Sequence, residues 1–177
     1  MTKSIAAAAA TAVAAVSFAL PTTAAHAASH TTKAAPAATV AASSTAGEIA
    51  TMRQLINQTR RSAGLPALRA NRTLDRAARF KLHRIGACHE FSHTPCGSPF
   101  TSTFRAAGWR RPTMGENIAW GTSYLGAAPA ILQSWMASPG HRANILDRSF
   151  RYGGLAVGTV TLPGVGAVRL WVNTFGR

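Results

Sequence analysis

The chain has 177 residues, with 19 Lys and Arg against 5 Asp and Glu and a formal net charge of +14 at pH 7. Beyond an N-terminal extension, that length suffices for one domain with a real core and not for two. The charge invites a nucleic-acid reading. However, no basic–aromatic stacking stripe and no DNA- or RNA-reading motif accompanies it, and the N-terminus predicts export, so nucleic acid is not an expected partner.

Lys3 precedes an uncharged Ala/Val/Phe-rich run from Ile5 to Leu20, and Ala25-His26-Ala27 follows with small residues at both cleavage positions. This pattern predicts a secretory signal peptide over residues 1–27, cut after Ala27, and a secreted, extracellular product. A bilayer span needs about 20 apolar residues, and this run is shorter and stops at Pro21. Residues 28–46 are Ala, Ser, Thr and Pro with Lys33 as the single charge, too little apolar surface to offset ordering entropy, so a flexible linker is expected there. The domain is placed at residues 47–177.

The first helix is expected from Glu48 to Ala63, with Ile49, Met52, Ile56 and Thr59 inward, Arg53 and Arg60 outward, and Gly64 ending it. The second runs from Asn71 to Ala87 on a stripe of Leu74, Ala78, Leu82 and Ile85, with Arg72, Arg76, Arg79 and Lys81 largely off it. Ser98-Pro99 opens a short third helix through Ala107, and Ala127 to Met136 forms a fourth. Ser138-Pro139 reads as an N-cap with proline at the first helical position, opening a helix to Leu146. Residues 155–162 and 167–175 are β-rich and joined around Pro163-Gly164, a hairpin signal. Helices first and a hairpin last predict an α+β domain with helices layered on an antiparallel sheet.

Cys88 and Cys96 are the only cysteines. An even count in an exported chain points to a disulfide between them. The spacing also allows a zinc knot of Cys88, His89, His93 and Cys96, which oxidising export disfavours.

Three segments set polar residues among apolar ones: Phe91-Ser92-His93-Thr94, Gly115-Glu116-Asn117-Ile118-Ala119, and the run from Trp135 to Leu146 that contains Ser138-Pro139-Gly140-His141-Arg142-Ala143-Asn144. Two histidines and a carboxylate suit a divalent metal or acid/base work. They equally suit a hydrogen-bonded network tying three segments together.

In this order, with Asn57, the Arg61/Gly64/Leu65/Leu68 stretch, Leu74/Ala77/Ala78 and the closing Trp171-Val172 and Phe175, the segments resemble the CAP superfamily of secreted SCP/PR-1-like domains in its compact bacterial form. The resemblance implies an α-β-α sandwich around a central antiparallel sheet, with a cleft of two histidines and two glutamates that in several relatives holds a divalent metal, often zinc. It places the first histidine at His93, the glutamate at Glu116 and the second histidine at His141. The second glutamate falls on Ser138, which removes half the carboxylate pair. The metal set implied is His93, His141 and Glu116, with Glu116 also the candidate general base.

Three functions follow: a cell-exterior binding domain whose cleft takes a lipid or a cell-wall polymer, a metal-assisted hydrolase using the same cleft, and a structural secreted protein. The missing carboxylate favours binding. A monomer is expected, with its Arg-rich face adhering to anionic surfaces.

Overall fold

The computed structural model describes residues 44–177. The predicted signal peptide and nearly all of the predicted linker lie outside the described residues. The linker's last residues do not: Ser44 caps the first helix by accepting from the Gly47 N–H at 3.2 Å, so α1 covers Thr45–Ser62 and begins three residues before Glu48. Next come β1 (Arg69–Ala70), α2 (Arg72–Cys88), α3 (Ser102–Ala106), β2 (Met114–Gly121), α4 (Ala128–Ala137), α5 (Pro139–Leu146), β3 (Tyr152–Leu162) and β4 (Gly166–Gly176). The predicted helices and hairpin are all present. The strand through the Gly-Glu-Asn segment and the two-residue β1 were not foreseen.

The four strands are ordered β1-β3-β4-β2. The long strands β3, β4 and β2 pair antiparallel, and β1 adds parallel to β3, which makes the sheet mixed. Alternation along the strands sends successive side chains to opposite layers. Leu155 and Val157 of β3 with Trp171 and Phe175 of β4 pack against Met52, Ile56, Ile131, Trp135 and Ile145 of α1, α4 and α5. Ala156, Val160, Leu170 and Val172 face the other way, onto Ala78 and Ile85 of α2. The result is helices, sheet, helices: the α-β-α sandwich. The α2 backbone crosses β3 so closely that a Cβ on Gly154 would sit 2.1 Å from the Leu74 carbonyl carbon, so only glycine fits there. Among the described residues no helix is long and apolar enough to cross a membrane.

Two basic residues assigned to the outside are inside. Arg60 is fully buried, and it falls on the spacing of Ile49, Met52 and Ile56, where Thr59 was expected. Its guanidinium donates to the carbonyls of Pro66 (3.0 Å), Ile145 (2.7 Å), Asp147 (3.0 Å) and Phe150 (3.3 Å). It thereby fastens the end of α5 and the turn into β3 to the end of α1. Lys81 is likewise fully buried, on the spacing of Leu74, Ala77, Ala78 and Ile85. Arg53 is half-buried and held by Asp75 at 3.2 Å.

Because four carbonyls would lose their donor together, Arg60→Met should cost about 3 kcal/mol or more in urea unfolding. Arg61→Met, at an exposed neighbour on the same helix, should stay within about 0.5 kcal/mol of the parent.

Candidate functional site

β2 is an edge strand, so its side chains serve both layers beside one open rim. Glu116 points toward α2, on the face that carries Ile118 into the α2 core, and Asn117 points toward α5. The loop after α2, the edge strand and the start of α5 converge at this rim.

The loop reaches Glu116 because α2 ends abruptly. His89 adopts the left-handed conformation (φ 51°) and turns the chain, and the Cys88–Cys96 disulfide closes the segment with its Cα atoms 5.7 Å apart. With both sulfurs consumed, the zinc knot is excluded. Glu90 accepts from the Cys96 N–H at 2.8 Å and Ser92 Oγ from the Thr94 N–H at 3.0 Å, which further fixes the backbone around His93.

Glu116 is wholly buried and its Oε1 does two jobs: it lies 2.8 Å from His93 Nδ1 and 3.2 Å from Lys81 Nζ. Both Lys81 and Glu116 have no side-chain exposure, whereas the His93 side chain is 44% exposed, so the chain of contacts runs from the interior to the surface. Lys81 Nζ also donates to the His93 carbonyl and sits 5.7 Å from the centre of the Phe100 ring. A carboxylate only accepts, so His93 Nδ1 carries the proton in this contact, and in the neutral form of the ring the unprotonated nitrogen is Nε2. Glu116 Oε2 has no partner among the described residues.

On the other side of β2, Asn117 Nδ2 donates to the His141 carbonyl at 2.9 Å. Asn144 Nδ2 donates to Asn117 Oδ1 at 2.8 Å and to the Glu116 carbonyl at 3.3 Å. These bonds dock the first two turns of α5 on the strand that holds Glu116. Burial first, and the neighbouring His93 imidazole second, hold His141 below the ordinary histidine range. Ser138 occupies the N-cap position of α5 and Pro139 the next, but the Ser138 side chain makes no capping hydrogen bond, contrary to expectation.

The structure therefore brings His93 and Glu116 into contact, and sets His141 near them through its backbone. Sequence reasoning missed Lys81, although a lysine on the apolar spacing of α2 was itself the signal. It also left the two asparagines without a role. Among the described residues no three His, Cys, Asp or Glu side chains are gathered as a metal-ligand set. Glu116 Oε1 is taken by the ammonium of Lys81 and the ring of His93, which leaves Oε2 as its unpartnered acceptor. The two imidazoles are the donors that fit.

Residues 53–166 match the profile of the cysteine-rich secretory protein family, CAP. The chain belongs to this family. It is 36% identical over 104 residues to YkwD, an uncharacterized protein of Bacillus subtilis, covering 58% of this chain and 39% of YkwD. An extracellular SCP-domain protein from Bacillus anthracis superposes with a TM-score of 0.61 at 26% identity, over 75% of this chain and 41% of the other. An outer surface protein of Borrelia burgdorferi shares the fold at 17% identity, with a TM-score of 0.62 over 73% of this chain and 92% of its own. The CAP chain described here thus spans about two-fifths of YkwD and of the anthracis protein.

Lys81→Met strands a buried carboxylate and should cost about 3–5 kcal/mol in urea unfolding. The double variant Lys81→Met/Glu116→Gln should recover most of that loss, because no charge is then left unpaired. Stability should also depend on His141. Its folded-state pKa is depressed, so the unfolded chain binds the proton more readily, and stability is complete above the unfolded value near 6.5 and falls as pH drops through it. Urea midpoints at pH 7.5 and 5.5 should separate, and His141→Gln should narrow the gap.

Proposed function

We propose that the mature chain is secreted and works at the cell exterior as a binding domain. Its cleft, formed by His93, Glu116 and His141, would be the site that meets a lipid or a cell-wall component. The observation that carries this reading is the chain Lys81–Glu116–His93. A buried ion pair lies behind an imidazole that is itself open to solvent, an arrangement that fixes a group for contact with something outside. Phe91 and Trp120 form an exposed edge-to-face pair, with ring centres 6.5 Å apart. Phe91 precedes His93 by two residues, and Trp120 shares the α2-facing side of β2 with Glu116. Together they offer an apolar wall beside the polar cleft. The extracellular description of the anthracis relative agrees with exterior placement.

A divalent ion such as zinc would be held by the His93 and His141 imidazoles, with Glu116 orienting His93 from behind, and would supply a Lewis-acidic centre. Glu116 has no exposed side-chain surface, so its role is positioning and not that of a general base touching substrate. This favours binding over metal-assisted hydrolysis.

Calorimetric titration of zinc into metal-free protein tests the cleft. The parent should bind at one site, His93→Ala and His141→Ala should each abolish binding, and Glu116→Gln should weaken it about 10–100-fold, as loss of an orienting partner does. No heat from the parent would end the metal reading. Amino-terminal sequencing of protein recovered from culture medium should begin at Ala28.

A further inference from the structure

The fold gathers arginines that the sequence keeps apart. Arg69, Tyr152, Gly176 and Met114 lie in one row across β1, β3, β4 and β2, at one end of the sheet. Around that row are Arg69 itself, Arg72 and Arg76 from the first turns of α2, Arg110 and Arg111 from the approach to β2, and Arg151 at the entry to β3. All six are exposed, and none forms an ion pair among the described residues.

These side chains are partly held in place without being neutralised. Arg76 Nε donates to the Ala107 carbonyl at 3.2 Å, and Arg151 Nη1 donates to the carbonyls of Arg148 and Phe150. The Arg111 guanidinium stands 5.7 Å from the ring centres of both Trp109 and Tyr152. The two nearby carboxylates are already engaged. Asp75 Oδ1 accepts from Arg53 and from the Leu155 N–H, and Asp147 Oδ1 accepts from the Ser149 N–H. The remaining Asp and Glu side chains are engaged elsewhere: Glu48 with Arg169, Glu90 with the Cys96 N–H, and Glu116 with Lys81 and His93.

We infer that this arginine-ringed end of the sheet is a docking surface, separate from the cleft, for an extended phosphodiester-linked polymer outside the cell. Guanidinium forks match phosphate oxygens bidentately, and several fixed forks spread over one face suit a repeating anion better than a single small one. A membrane surface is the weaker fit. The three most exposed large apolar side chains, Tyr124, Leu125 and Val165, lie toward the opposite end of the sheet, at the turn after β2 and in the β3–β4 hairpin, so this end has no apolar anchor of that kind to insert. The inference takes exterior placement from the proposed function, but it does not depend on what the cleft binds.

The test uses poly(glycerol phosphate) as probe and two double variants with equal loss of charge. Arg69→Gln/Arg111→Gln removes two guanidinia from the ring. Arg84→Gln/Arg142→Gln removes two exposed ones elsewhere, on α2 and α5. By fluorescence anisotropy, the first variant should bind at least tenfold more weakly than the parent and the second within about twofold. Zinc titration of the first should match the parent, which separates this surface from the cleft. Equal weakening in both variants, no binding by the parent, or tighter binding to phosphatidylglycerol vesicles that the polymer fails to displace would each overturn the inference.

Discussion

A lysine ammonium and a carboxylate meet out of water beneath the edge strand, and the order of the candidate site depends on that contact. Taking both charges out of solvent carries a large desolvation penalty, which their attraction offsets only when the geometry is good and further polar partners are present. Here the partners are on the site. Lys81 reaches the His93 carbonyl, and Glu116 reaches the His93 ring, so one buried pair grips the same loop by backbone and by side chain. The disulfide shortens that loop from outside, while the ion pair fixes it from within.

An edge strand makes such a site possible. In a central strand both flanks are occupied by neighbours, but beyond β2 there is only the rim. The α2 layer supplies Lys81 and the His93 loop to one face, and α5 supplies His141 to the other. The α5 side needs its own anchors, because a helix of two turns has little intrinsic stability. Asn117 and Asn144 dock its start on β2, and Arg60 gathers the carbonyls at its end. The sandwich core positions the layers, and a few polar bonds position the residues.

Much of this was legible in the sequence. Apolar periodicity located α1, α2 and α4, the Pro163-Gly164 turn located the hairpin, and the order of the His93, Glu116 and His141 segments pointed to the family. What was missed shares one cause. Periodicity rules sort residues by type, so Arg60 and Lys81 were sent outward despite standing on the inward spacing of their helices. Partners distant in the chain make their burial favourable: the carbonyls of Ile145, Asp147 and Phe150 for Arg60, beside the local one of Pro66, and Glu116 for Lys81. β2 was hidden for a related reason. Its Glu116 and Asn117 interrupt the apolar alternation of a strand, and only in the folded chain does each have a partner. Ser138 shows the converse, a local capping pattern whose side chain forms no local bond.

Glu116, held by Lys81, fixes His93 with its proton on Nδ1, and the position of that proton can be read spectroscopically. Long-range proton–nitrogen correlation spectra of metal-free protein with 15N-labelled histidine report the tautomer of each neutral ring. His93 should show the Nδ1–H form, and it should move toward the Nε2–H form common in free histidine when Lys81 is replaced by Met. A parent spectrum with His93 already in the Nε2–H form would contradict it.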